Sequence, residues 1–336
     1  MSGYRNSRNK TPKGWGVLIG LVVLSLLLTA CGGAQKPKTY TVGVIMEIPW
    51  QTVILDPFKA EMATLGYVEG KNITYIFHSE VGPDMPAFER EAKSFRDQKV
   101  DLIFALGTLT TKAAKKTVEG TNIPVLFVPV IDPVGEGIVA SVSHPGGNVT
   151  GVQIIDQSSK ALEWLLKSVP GTKKVYAPYN PADDVSAPLI KSLREAAPKL
   201  GVELLPGEVS SVDQMLAAIQ ALPTKETVIF FTVPLPSLED GIEAAGKLAT
   251  ERGIPIGSCN RDAGLAPFPI LNYTVSNQEE AKQGASMADQ IFKGTKPANL
   301  PVQTAEYYLE IDLKTAQAIG LNIPENILRQ ADKVIR

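Results

Sequence analysis

Only two histidines, His78 and His144, and two cysteines, Cys31 and Cys259, stand among the 336 residues of this chain. No serine–histidine–aspartate order, metal-ligand spacing or phosphate-cradling glycine loop accompanies them. A metal site needs clustered ligands that these four residues cannot supply. Turnover chemistry and a bound cofactor are therefore not expected, and the side chains that stand out suit recognition. Glu47 can accept an ammonium group, and Trp50 offers an indole that stacks on an apolar or aromatic body. Gly107 and Thr108 offer backbone N–H groups and a hydroxyl. Asp132 can bind an amine, and Asn180 can both donate and accept. Pro234 and Leu235 precede Ser237-Leu238-Glu239-Asp240, a capping-box-like helix start, and Asn260 and Asp262 share one polar stretch. Each has a plainer reading that stays open here. Glu47 is solvated at a rim, Trp50 packs on a surface, Thr108 only caps a helix, Asp132 braces a loop, and Asn180 starts an Asn-Pro turn.

These residues share a position, because each follows a predicted strand. Residues 40–46 are β-branched and apolar, as a buried strand requires. Residues 52–65 read as a helix stopped by Gly66. Strand 72–77, helix 87–98, strand 101–105, helix 108–118 and strand 123–128 follow. Continuous apolar strands alternating with helices predict a parallel sheet covered on both faces. The cycle restarts with strand 174–177, helix 185–200 carrying Pro198 near its end, strand 202–205, helix 212–221, strand 227–231, helix 238–252 and strand 254–257. Asn122-Ile-Pro-Val echoes Gly253-Ile-Pro-Ile, and Leu65-Gly-Tyr echoes Leu200-Gly-Val. Two similar α/β domains are expected. Segments 148–155, 270–276 and 305–312 sit between or after these units, with helices over 278–293, 313–319 and 324–331. If the chain crosses between lobes at all three segments, neither lobe is contiguous and the crossings form a hinge. Ligands of open parallel sheets bind beyond the carboxyl ends of the strands, where helix N-termini suit a carboxylate.

The amino terminus addresses the compartment. Arg5, Arg8, Lys10 and Lys13 precede a mostly apolar run over residues 14–30, which ends in Leu28-Thr29-Ala30-Cys31. A basic start, a short apolar stretch and small residues describe an export signal. The tetrapeptide resembles the lipobox cut by lipoprotein signal peptidase, which implies a diacylglyceryl thioether on Cys31. The expectation is a signal peptide over 1–30, a tether over 31–39 and an extracytoplasmic domain held to the membrane by lipid. Removing residues 1–30 leaves 29 basic against 35 acidic side chains, a net of −6. Nucleic-acid binding needs a basic face and is excluded as a function. With Cys31 lipidated, no intramolecular disulfide remains possible.

The run Asp132-Pro-Val-Gly-Glu-Gly-Ile-Val-Ala-Ser-Val-Ser-His-Pro-Gly-Gly-Asn-Val-Thr-Gly151 is similar to one that marks a family of bacterial solute-binding lipoproteins of ABC importers, the one containing the tryptophan- and tyrosine-binding proteins. Leu65-Gly-Tyr, Val100-Asp-Leu-Ile-Phe104, Tyr179-Asn180-Pro181 and Ala318-Ile-Gly-Leu agree with it. The resemblance covers roughly residues 40–335. It implies a type I periplasmic-binding fold, with two doubly wound parallel-sheet lobes joined by a three-segment hinge. Lobe 1 would be residues 40–151 with 275–306, and lobe 2 residues 152–274 with 307–336. The implied partners are a small molecule in the cleft and an ABC permease in the membrane, and a monomer is expected. An apolar or aromatic amino acid is the first expectation for the ligand, its carboxylate on helix N-termini, its ammonium on an acid and its side chain on Trp50. A sensory input module for a membrane kinase, built on the same fold, is the alternative. The chain departs from the family at Leu106-Gly107-Thr108-Leu109, at residues 230–235 and at Ser258-Cys259-Asn260-Arg261-Asp262. Ligand contacts would lie in these stretches, so the fold carries over better than the identity of the ligand.

Overall fold

Val42, Val44 and Met46 of strand β1 (Tyr40–Met46) are buried on one face of a sheet and Ile45 on the other. A strand apolar on both sides needs a helix layer on each. The computed structural model describes Met1, Gly3 and residues 38–47, 51–77, 84–182, 186–232, 241–259 and 269–336, the side chains of 186–188 excepted. Cys31, Trp50, Pro234, Leu235, Asn260 and Asp262 lie outside the described residues, as does nearly all of the export segment. Among the described residues, no helix is long and apolar enough to cross a membrane.

After β1 come helix α1 (Thr52–Thr64), β2 (Ile73–Ile76), α2 (Met85–Gln98), β3 (Leu102–Leu106), α3 (Thr108–Thr117), β4 (Val125–Ile131) and β5 (Val149–Ile154). Gly66, at φ +97°, follows the end of α1 as expected. Between β4 and β5 residues 132–148 stand in place of a helix. They bury Ile138 and Val139 in the cluster formed by α2 and α3. The opposite face is covered by α1 and by α8 (Asn277–Phe292). There Phe58 stacks on Phe104 with ring centroids 4.0 Å apart. Gly284 lets α8 approach, since a Cβ at that position would stand 2.8 Å from Val128.

The second sheet starts after α4 (Ser158–Ser168). It takes β6 (Lys174–Tyr179), α5 (Ser186–Ala196), β7 (Glu203–Glu208), α6 (Val212–Ala221), β8 (Thr227–Phe231), α7 (Ile242–Glu251), β9 (Ile256–Ser258) and β10 (Leu271–Val275). After α8 come β11 (Gln303–Thr304), β12 (Tyr307–Asp312), α9 (Leu313–Ala318), α10 (Glu325–Leu328) and β13 (Lys333–Ile335). The first sheet has the order β11-β5-β4-β3-β1-β2, and the second β13-β12-β10-β9-β8-β6-β7. All pairs are parallel except β10 with β12. Helices α4 and α5 cover one face of the second sheet, and α6 and α7 the other.

Three corrections to the sequence reading follow. Residues 148–155, read as a link, contain β5, an inner strand of the first sheet. Its polar residues hide that role. Thr150 Oγ1 donates to the Leu300 carbonyl at 2.6 Å, a partner 150 residues away. Helix α4 went unread, although Ala161, Leu162 and Leu165 form its buried stripe. The helix expected over 185–200 stops at Ala196, two residues before Pro198.

Candidate functional site

Parallel strands put all their carboxyl ends on one edge, and the three crossings between sheets join the two such edges. Crossings leave the carboxyl ends of β5, β10 and β11 and lead to α4, α8 and β12. They are tied together by direct contacts. The Tyr307 hydroxyl donates to the Ile155 carbonyl at 2.5 Å. Gln153 Nε2 donates to Thr304 Oγ1 at 2.9 Å, and the Ala305 N–H donates to the Gln153 carbonyl at 2.8 Å. The rings of Tyr273 and Tyr307 lie 5.4 Å apart on the paired strands β10 and β12.

Glu47 sits at the carboxyl end of β1, beside the start of α3. The Leu109 N–H donates to its Oε1 at 2.7 Å, and Gln51 Oε1 accepts the Glu47 N–H at 2.7 Å. Burial pushes the carboxyl above the usual range, while the Leu109 and Thr110 N–H groups pull the other way. Thr108 is not the cap that its residue type suggests. Gly107 holds the N-cap position with φ +103°, and Thr108 is the first helical residue. A Cβ at Gly107 would stand 2.5 Å from Glu47 Oε1, so only glycine leaves room for this carboxylate. Thr110 and Thr111 turn their hydroxyls back onto carbonyls, Thr111 donating to Gly107 at 2.6 Å.

Asp132, after β4, accepts the Gly135 N–H at 2.9 Å through Oδ1 and holds φ +48°. That is the bracing role, at the exposed head of the 132–148 segment. Asn180, half-buried after β6, accepts the Ala182 N–H at 3.0 Å, the Asn-Pro turn that the sequence offered as its plain reading. Glu47 and Gly107 are thus brought together, with Thr108 next to them. Asp132 stands on the same edge of the first sheet, and Asn180 on the corresponding edge of the second.

Comparison with known proteins decides what such an arrangement belongs to. The family model for ABC transporter substrate binding proteins matches residues 40–335. The chain belongs to this family. A tyrosine-binding protein of Clostridioides difficile is 27 % identical over 274 residues, which span 81 % of this chain and 78 % of that protein. A domain from Streptococcus pneumonia solved in complex with L-Trp superposes with a TM-score of 0.70 at 22 % identity, covering 89 % of this chain and 100 % of the other. A ligand-free, open substrate-binding protein with adhesive properties from Clostridium difficile gives 0.73 at 24 %, covering 89 % and 99 %. The fold is therefore that of type I periplasmic-binding proteins, and the family is one of binding proteins rather than enzymes.

In this substrate-binding protein the strand-end edge of the first sheet carries a feature that the sequence reading missed. Val53, Phe77, Leu109, Ile131, Val134 and Ile155 are between 38 and 46 % exposed. Each follows or ends one of the strands β1 to β5 on the carboxyl side. Only Leu65 and Val68, before β2, are comparably exposed among the other large apolar side chains of the described residues in 40–336. The signal was present as one large apolar residue shortly after every strand of the first cycle, but an apolar residue near a strand reads as core until its exposure is known.

The second sheet's edge holds a half-buried thiol whose partners the sequence does not show. Cys259 Sγ donates to the Thr232 carbonyl at 2.6 Å and lies 3.6 Å from Ser158 Oγ at the start of α4. Burial pushes the thiol up to about 12. Thr232 Oγ1, just after β8, is buried and has no hydrogen-bond partner among the described residues.

Proposed function

We propose that this protein is a lipid-anchored, extracytoplasmic receptor of an ABC importer that binds an apolar or aromatic amino acid, or a close analogue, between two lobes. The observation that carries the ligand class is the exposed apolar edge of the first sheet with one partly buried acid among its described residues, Glu47, set into it. Exposed apolar surface concentrated at one place marks interaction. An acid amid it suits a ligand with an apolar body and a cationic head. The tyrosine-binding relative and the L-Trp complex support the same class.

In this reading Trp50 joins the apolar edge against the ligand's side chain. Gly107, Thr108 and Asp132 of the first lobe and Asn180, Pro234, Leu235, Asn260 and Asp262 of the second supply the remaining ligand contacts. The lobes follow the two sheets, so the bounds expected from sequence (40–151 with 275–306, and 152–274 with 307–336) shift by a few residues to keep β5 whole in the first lobe and β10 whole in the second, and the three crossings are the hinge on which they close. Processing at Leu28-Thr29-Ala30-Cys31 leaves the lipid on Cys31, with residues 31–39 as the tether to an adjacent permease. Residues 40–336 form a compact unit of their own, so a chain beginning at Gly32 is the test protein. Calorimetry against amino acids, sugars and nucleosides should find micromolar or tighter binding of an apolar or aromatic amino acid. A sugar or nucleoside binding while every amino acid fails would overturn the ligand class.

A further inference from the structure

Glu47 is a partly buried carboxylate that no cation among the described residues serves. Its interactions are with backbone N–H groups of Leu109 and Thr110 and with Gln51; no lysine, arginine or histidine among the described residues acts on it. A desolvated charge left without a counter-ion is costly, and proteins pair such groups or let them bind an ion from outside. The start of α3 meets half of that need. Its N–H groups are aimed at an anion, and the anion they receive is Oε1 of Glu47. The arrangement is built into the backbone, because Gly107 at φ +103° is what makes room for the carboxylate.

Two consequences follow for any molecule that enters at this edge. The first turn of α3 is already filled, so a ligand carboxylate finds a negative charge there instead of free N–H groups. The carboxylate itself still lacks a cationic partner among the described residues. We infer that Glu47 is the specificity-determining residue of the first lobe: it selects ligands carrying a cationic amine and turns their carboxylate away from α3. The inference rests on the amino-acid reading above and refines it. Of the helix N-termini that the sequence offered to a ligand carboxylate, the one that follows β3 is closed.

The test uses tryptophan, its des-amino analogue (carboxylate kept, ammonium lost) and its amide (ammonium kept, carboxylate neutralised), titrated by calorimetry into the chain beginning at Gly32 and into Glu47→Gln. The glutamine keeps an oxygen for the Leu109 N–H, so the start of α3 stays capped. Wild type should prefer tryptophan over the des-amino analogue by about tenfold to hundredfold, the range of a charge-assisted hydrogen bond. The amide should lose less than the des-amino analogue does. In Glu47→Gln tryptophan should weaken by a similar factor while the des-amino analogue holds or tightens, so that the preference collapses. Equal weakening of both ligands would reduce Glu47 to a helix cap and overturn the inference. So would a des-amino analogue that wild type binds as tightly as tryptophan, which the wild-type protein alone can show. If sugars or nucleosides bind and no amine-bearing ligand does, the amino-acid reading itself falls and this inference with it.

Discussion

Replacing Gly107 by alanine disturbs the first lobe in two separable ways. The residue holds φ +103° and ψ 172°, a region that side-chain-bearing residues occupy at a cost of about 1–3 kcal/mol. The added Cβ also meets Oε1 of Glu47 at 2.5 Å and Oε2 at 2.9 Å. The carboxylate must then leave the Leu109 N–H, and a charge-assisted bond of this kind contributes roughly 1.5–3 kcal/mol. Renewed hydration of the released acid offsets part of that loss, because burial had already pushed its carboxyl upward. A net destabilisation of about 2–4 kcal/mol results. Urea denaturation followed by circular dichroism measures it, and a double-mutant cycle separates the parts. In a Glu47→Ala background no carboxylate remains to be struck, so the penalty of Gly107→Ala should fall by at least about 1 kcal/mol toward the backbone cost alone. An equal penalty in both backgrounds would show that Glu47 does not fill the space at Gly107. A penalty below about 0.5 kcal/mol in both would refute the requirement for glycine as well.

Four further outcomes are expected. Cys31→Ser in the full chain should accumulate as an unprocessed precursor without lipid, and normal labelling with radioactive fatty acid would refute the processing site. Small-angle scattering should show a smaller radius of gyration at saturating ligand, and an unchanged radius would count against closure. Tyr307→Phe, which removes the donor to Ile155, should speed amide exchange around residues 155–158 about fivefold, for a hydrogen bond worth about 1 kcal/mol, and unaltered exchange would deny that this contact ties the crossings. Cys259, with its thiol pushed up to about 12 by burial, should resist iodoacetamide at neutral pH in the native protein and react once urea unfolds it; prompt stoichiometric labelling of the native chain would contradict its placement.

The sheets were readable because burial on both faces leaves a plain mark. Thr227–Phe231 and Tyr40–Met46 are nearly continuous apolar runs, and both strands form at the expected bounds. Strand β5 was not readable, because Thr150, Gly151 and Gln153 resemble a connection. What makes them a strand is supplied from far along the chain, by Leu300, by Thr304 and by the close approach of Gly151 to Phe127. The end of α5 shows a smaller version of the problem. Proline lacks the N–H and restricts the residue before it, so Pro198 ended a helix that the apolar pattern would have continued.

At the candidate site the residue types were legible and their partners were not. Glu47 stood out as an acid after a strand, yet its contact with Leu109 spans 62 residues and is created by the pairing of β1 with β3. Thr108 looked like the cap because threonine is a common one, whereas the neighbouring glycine took that position to admit a carboxylate. Asp132 and Asn180 illustrate the opposite case. Their short-range turn chemistry was visible in Asp132-Pro133 and Asn180-Pro181, and the structure uses both side chains in that way.

The division of labour in the first lobe follows from these contacts. If Glu47 takes a ligand amine as proposed, an empty receptor must keep that charge ionised while holding it out of water, and those demands conflict, since desolvation favours the neutral acid. Helix α3 eases the conflict, because its first N–H groups stabilise the charged form. A lysine or arginine in the same place would do so more strongly, but would also satisfy the carboxylate and leave an incoming amine nothing to gain. Backbone dipoles neutralise only part of a unit charge, about half by the usual measure. On the amino-acid reading the remainder is available for a ligand cation, and the exposed apolar side chain of Leu109 beside it, with Ile131 and Ile155 farther along the same sheet edge, favours a ligand whose cation is joined to an apolar body. A sugar offers neither feature, and a dicarboxylate would bring a second negative charge to the first turn of α3, where Glu47 already stands.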